Sequence, residues 1–218
     1  MVDSPYVLVI TPDYEVVTQT TSYFKKLYFK RCAKTFPILN LSGVDVCRSK
    51  VLPAMSNAIF VSAVGHGNAS QYAGQNDENI LWFDYSKKEL NFKEVDGKHM
   101  HFLSCLVGKR LAPELAKLGA IVTAYTEDYY FIIGEHLDKN MISFFDSDCQ
   151  IDLELMNGKT HQEAFEAAKQ RYLFWIGQKI PKAYIRYLIW DMQHLELFGD
   201  GSKHLPTIIV ARISKKSC

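Results

Sequence analysis

The 218-residue chain has almost no net charge, no long hydrophobic run, no closely paired cysteines and no internal repeat. Lys and Arg number 25 against 24 Asp and Glu, a formal charge of +1. No one-signed field would therefore gather nucleic acid or an anionic membrane on this surface, and neither is expected as a partner. The apolar runs fall far short of the ~20 residues that a membrane span requires. Met1-Val2-Asp3-Ser4-Pro5 offers no basic n-region, and the first apolar stretch, Tyr6 to Ile10, is too short for the core of a signal peptide. A cytoplasmic protein is the expectation. The five cysteines (Cys32, Cys47, Cys105, Cys149 and Cys218) are odd in number, widely spaced and without a CxxC pair, so neither a disulfide framework nor a zinc knuckle is indicated.

What is present is the composition of one ordinary globular domain, 48% hydrophobic and 22% charged. Tyr6–Thr11, Ala58–Val64, Met100–Cys105 and Ala120–Tyr125 are short apolar runs rich in β-branched residues, the pattern of parallel strands covered on both faces. Near-helical spacing of apolar residues runs from Tyr14 to about Cys32. Val44–Ser56 reads as a helix disturbed at Pro53, and Leu111–Leu118 as a helix closed by Gly119. Thr160 to about Ile176 carries a capping box, Thr160 with Glu163, and Pro181 to about Leu195 reads as one more helix. Thr35–Leu41 and Ile80–Tyr85 read as short extended segments, Ser86–Asp96 as a solvated excursion, and Pro206–Ala211 as a last strand. No structure is assigned to Phe131–Asp148. Alternation of strands and helices predicts an α/β protein with a mostly parallel, doubly wound sheet and helices on both faces.

Ligand sites in such sheets lie beyond the carboxyl ends of the strands. Two reactive side chains fall there, His66 in Gly65-His66-Gly67 after one strand and Cys105 after another. A thiol attacks as its thiolate, and a helix N-terminus following Cys105 would lower its pKa. An imidazole can protonate the leaving group, and glycines on both sides of His66 permit a sharp turn and close approach to substrate. Backbone N–H groups of Gly67 and Cys105 are candidates for an oxyanion hole. The separation of 39 residues from His66 to Cys105 suits one excursion before the chain returns to the neighbouring strand.

Val61-Ser62-Ala63-Val64-Gly65-His66-Gly67 followed by Phe102-Leu103-Ser104-Cys105 resembles the strand–His–Gly and strand–Cys pair of the caspase-fold peptidases, a clan of caspases, legumain, clostripain and gingipains. VLVITPDY (Val7–Tyr14), GAIVTAY (Gly119–Tyr125), NGKTHQEAFEAAKQRY (Asn157–Tyr172) and LFGDG (Leu197–Gly201) are similar, in order, to segments of its gingipain-like and CHAT-like branch. The resemblance implies a caspase-like α/β/α sandwich spanning residues 1–212 as a single domain, with residues 213–218 a frayed tail. It implies a cysteine endopeptidase in which Cys105 attacks the scissile carbonyl, His66 serves the leaving group and water hydrolyses the acyl-enzyme. No cofactor or obligatory metal is implied. The partner would be a peptide or protein substrate, with a regulatory protein a further candidate.

Relatives that cleave after basic residues hold that side chain with an acidic group, some with Asp two residues before the nucleophile, where this chain has Leu103. Glu127 and Asp128 are the candidate substitutes for a basic P1 residue. Asp13, after the first strand, is the candidate to orient His66, though its turn with Pro12 accounts for it equally. An inactive caspase-fold interaction module and a small-substrate thiol hydrolase or acyltransferase stand as alternatives. His99 and His101 alternate along a strand as two metal ligands would, but no third ligand is near in sequence. His136, His161, His194 and His204 are assigned to surface or capping roles.

Overall fold

The computed structural model describes residues 5–32, 36–134 and 138–206. The order along the chain opens β1 (Tyr6–Thr11), α1 (Val16–Cys32), β2 (Ile38–Ser42), α2 (Arg48–Asn57) and β3 (Ala58–Val64). Four short strands follow, β4 (Gly67–Asn68), β5 (Gln71–Ala73), β6 (Asn79–Asp84) and β7 (Glu89–Leu90). Next come β8 (His99–Leu103), α3 (Leu111–Lys117) and β9 (Ile121–Tyr125). Helices α4 (Lys139–Asp148), α5 (Gln150–Met156), α6 (His161–Ile176) and α7 (Lys182–His194) precede a last strand, β10 (Leu195–Phe198).

The main sheet has the order β10-β9-β8-β3-β1-β2, parallel throughout except for β10, which runs antiparallel on β9. From β1 the chain builds outward in both directions, to β2 on one side and to β3, β8 and β9 on the other. The strand order therefore reverses beside β1, where a crevice opens at the carboxyl ends. Strand alternation divides the core. Val7, Val9, Phe60, Val64 and Leu103 point to one face, packed under α1 and α4 to α7. Leu8, Ile10, Val61, Ala63 and Phe102 point to the other, under α2, α3 and the small antiparallel sheet β4-β5-β6-β7. Both faces are dry, which is why these strands read as continuous apolar runs.

Several expectations are corrected. The extended segment expected at Ile80–Tyr85 is β6 of the small sheet, and the 86–96 excursion, rather than being solvated throughout, buries Leu90, Phe92 and Val95. The unassigned 131–148 region ends in helix α4, capped by Asp138, whose carboxylate accepts from the Asn140 N–H. LFGDG begins in the edge strand β10. The capping box at Thr160 and Glu163 forms as expected, and Gly119 adopts φ +91° behind α3. The strand expected over Pro206–Ala211 lies, beyond Pro206, outside the described residues, as do the tail, His136 and Cys218.

Candidate active site

Strands β3 and β8 are direct parallel neighbours, with Val64 opposite Leu103. His66 and Cys105 each stand two residues beyond that pair, at matching heights on adjacent strands. Both line one cleft of about 70 Å³, with Gly65, Leu103 and Ser104 at its base. Val17, Thr18 and Thr21 of α1 form one wall, and Tyr129 and Phe131 of the loop after β9 another.

The turn bearing His66 is anchored by the small sheet, because the His66 carbonyl accepts from the Ala73 N–H at 2.9 Å. A Cβ on Gly65 would come within 2.5 Å of the Ala73 carbonyl oxygen, so no larger residue fits there. A Cβ on Gly67 would meet Ser104 Oγ at 2.4 Å and the Cys105 carbonyl oxygen at 2.8 Å. Gly67 thus lets the histidine turn lie directly on the cysteine turn.

His66 Nε2 bonds the Glu15 carboxylate at 2.6 Å, with the two side chains 40% and 39% exposed. Tyr14 packs edge-on against the imidazole, ring centroids 6.2 Å apart. The carboxylate on His66 is therefore that of Glu15, between β1 and α1. Asp13 instead pairs with Gln75, donating its N–H to the side-chain oxygen at 2.9 Å. The chain turns toward α1 between these two residues and swings the later one over the β1–β3 crevice. Glu15 could have been found by asking which acidic side chain follows β1 at the point where the strand order reverses.

Cys105 is held differently from expectation. Leu106 takes a left-handed conformation, φ 63°, followed by a single 3₁₀ turn, Val107–Lys109, and α3 begins only at Leu111. The thiol thus gains no helix dipole. Burial pushes the Cys105 thiol above its usual pKa, and the nearby Asp128 carboxylate adds to the rise, while a bond from the Tyr129 backbone opposes it. The loop after β9 braces this turn: the Leu106 N–H donates to the Glu127 carbonyl at 3.1 Å, and Lys109 pairs with the Glu127 carboxylate at 2.8 Å. Helix α7 braces the loop in turn, the Trp190 indole donating to the Asp128 carbonyl at 3.0 Å and Asp191 accepting from the Tyr130 N–H at 2.9 Å.

Neither Glu127 nor Asp128 belongs to the cleft wall. Glu127 is committed to Lys109, and Asp128 is an exposed residue acting on the thiol itself.

Beneath the strand ends lies a buried charged cluster that sequence spacing did not disclose. His101 Nδ1 bonds Asp152 at 2.9 Å and its Nε2 bonds Asp148 at 3.1 Å. Lys25 Nζ donates to Asp152 at 2.6 Å and lies 3.4 Å from both Asp148 and His101. His101, Asp148 and Asp152 are spaced as metal ligands could be. The Lys25 ammonium occupies the cationic position among them, so the cluster is internally neutralised. His99 does face the same side as His101, but its Nδ1 meets Nδ1 of His161 at 3.1 Å, and His161 Nε2 bonds Thr123 at 2.7 Å. His161 is therefore fully buried rather than a surface residue. Burial pushes His99 down to about 4 and His161 well below its usual value, which keeps this stacked pair neutral.

No family model matches the sequence, and no curated protein does. Solved structures do match. One is the crystal structure of the Arg-specific cysteine proteinase gingipain R, at 13% identity and a TM-score of 0.52, over 93% of this chain and 48% of that one. Another is the complex of the pro- and mature domains of Porphyromonas gingivalis RgpB, at 12% identity and a TM-score of 0.56, over 93% of this chain and 49% of that one. The chain has the caspase-like α/β fold. It spans about half the length of the gingipain chains it matches. At such identities the caspase-like likeness extends to the fold and not to any one branch of the clan.

Proposed function

We propose that this caspase-like protein is a cysteine peptidase, with Cys105 as nucleophile, His66 as the proton-transfer group and Glu15 as the residue that orients His66. The observation that carries this reading is the pairing of β3 with β8, which sets His66 and Cys105 at matching strand ends on one cleft. The Cys105 sulfur attacks the scissile carbonyl and forms a C–S bond, its proton passing to the imidazole. The tetrahedral intermediate collapses, the C–N bond breaks, and His66 returns the proton to the leaving amine. Water, deprotonated by His66, then attacks the thioester and releases the carboxylate product and the thiol. The carboxylate of Glu15 on Nε2 favours the ring orientation and the imidazolium formed in each step. Backbone donors at Gly67 and Cys105 are the proposed oxyanion site, supported by the contact of the two turns.

Hydrolysis of a fluorogenic peptide library tests the reading. Cys105→Ala and His66→Ala should each lower kcat/KM by at least about 1,000-fold, while Cys47→Ala, at a half-buried cysteine outside the cleft, should not. Activity retained in Cys105→Ala would refute it.

A further inference from the structure

The loop after β9 is held between two neighbours by alternate residues. The Thr126 N–H donates to the His194 carbonyl at 2.8 Å, the Asp128 carbonyl accepts from the Trp190 indole at 3.0 Å, and the Tyr130 N–H donates to the Asp191 carboxyl at 2.9 Å, all on the side of α7. The residues between them face the nucleophile. The Glu127 carbonyl accepts from the Leu106 N–H at 3.1 Å, and the Tyr129 N–H bonds the Cys105 sulfur. This is the two-edged alternation of an extended strand, with a helix on one edge and a thiol on the other.

One peptide unit joins the two edges. Its carbonyl belongs to Asp128 and its N–H to Tyr129, and in a planar trans peptide these groups point in opposite directions. A hydrogen bond to the carbonyl also polarises the N–H. Trp190 therefore holds from behind the group that meets the sulfur, and Asp191 fixes the next peptide unit. Asp191 is poorly suited to packing alone. It is fully buried, its Oδ2 has no partner among the described residues, and burial pushes its carboxyl well above the usual range. An apolar side chain of similar size would avoid that penalty but could not accept from Tyr130.

We infer that Trp190 and Asp191 are positioning residues for the nucleophile: they hold the loop after β9 so that the Tyr129 N–H stays on the Cys105 sulfur and stabilises the thiolate. The inference rests on the peptidase reading and adds to it two residues of α7 that line no part of the cleft. The Tyr129 donor works against burial and the Asp128 carboxylate, both of which disfavour the thiolate. Any negative charge on Asp191 would oppose the thiolate too, so its benefit is the bond and not the charge. Losing the donor leaves less thiolate at a given pH without altering substrate affinity.

The test uses the full chain carrying Asp191→Ala, Asp191→Asn or Trp190→Phe, with two readouts: the pH midpoint for alkylation of Cys105 by iodoacetamide, and kcat and KM for a fluorogenic peptide. Asp128 and His66, the other titratable groups at the thiol and in its cleft, are the same in every variant. Asp191→Ala should raise the midpoint by about one pH unit and lower kcat about tenfold with KM within about twofold, as loss of one hydrogen bond to a charged group predicts. Asp191→Asn keeps an acceptor for the Tyr130 N–H, so its midpoint should be no higher than the parent's and its kcat within about threefold. Trp190→Phe, at a residue 37% exposed, keeps a ring but loses the donor, and should raise the midpoint by about half a pH unit. It keeps the test independent of whether Asp191→Ala folds. A parental midpoint in folded Asp191→Ala or in Trp190→Phe, or an Asn variant as impaired as the Ala variant, would overturn this inference while leaving the peptidase reading intact. A folded parent that cleaves no peptide of the library would overturn the peptidase reading and this inference together.

Discussion

His66 lines the cleft and bonds the Glu15 carboxylate through Nε2, so its ring is held by a residue from another loop. Both partners are about two-fifths exposed, which weakens the pair relative to a buried one. Glu15→Gln should accordingly lower kcat by about tenfold with KM little changed, the signature of an interaction that matters when charge develops on the ring. Unchanged kcat in steady-state assays would make the contact incidental. At Cys105 the sign is set by burial and by Asp128, both of which raise the thiol pKa. Alkylation of Cys105 by iodoacetamide should therefore accelerate with pH along a curve whose midpoint lies above that of an ordinary cysteine. Asp128→Asn removes one raising influence, so the midpoint should move downward; an upward shift would contradict the electrostatic account. His66, Cys105 and Gly67 were legible from the sequence because strand ends flanked by glycine are local features. Glu15 was not, since only the path of the turn between Asp13 and α1 decides which carboxylate reaches the ring.

Elements brace this site from below through the charged cluster joining α1, β8, α4 and α5. Burial by itself would drive Lys25 toward its neutral form, but Asp152 and Asp148 outweigh it and hold the ammonium charged. Asp148 and Asp152 are held below the usual carboxylate range against burial, chiefly by His101 and Lys25. Burial likewise opposes charge on His101, and the two carboxylates raise its pKa nevertheless. The depressed carboxylates stabilise the fold above about pH 4 and lose that contribution as pH falls through their folded values. The raised His101 contributes fully below about pH 6.5 and loses its contribution as pH rises through its folded value. Lys25→Met should destabilise the protein by about 3–5 kcal/mol, because two buried carboxylates would then share one histidine. Urea unfolding at pH 6 measures this, and a loss under about 1 kcal/mol would show the cluster to be replaceable. None of it was visible as a pattern, since the three acidic and basic partners come from α1 and two helices more than forty residues beyond His101. Helix α4 itself was missed because the segment before it carries no clear periodicity.

Across the whole molecule, the parallel strands, the long helices α1, α6 and α7, and the placement of His66 beside Cys105 followed from apolar runs, caps and strand-end position. Strand β6 followed likewise, as the extended segment Ile80–Tyr85, but the antiparallel edge β10 and the short strands β4, β5 and β7 did not, because strands of two to four residues have too little alternation to read. The consequence that matters is that the proposed nucleophile and base, 39 residues apart, can act as one unit only because β3 and β8 are neighbours. Labelling by a peptidyl acyloxymethyl ketone, located by mass spectrometry, tests that coupling most directly. The account predicts one label per chain, on Cys105, formed at least about 100-fold more slowly in His66→Ala. Labelling spread among the accessible cysteines, or a Cys105 rate unchanged in His66→Ala, would contradict it.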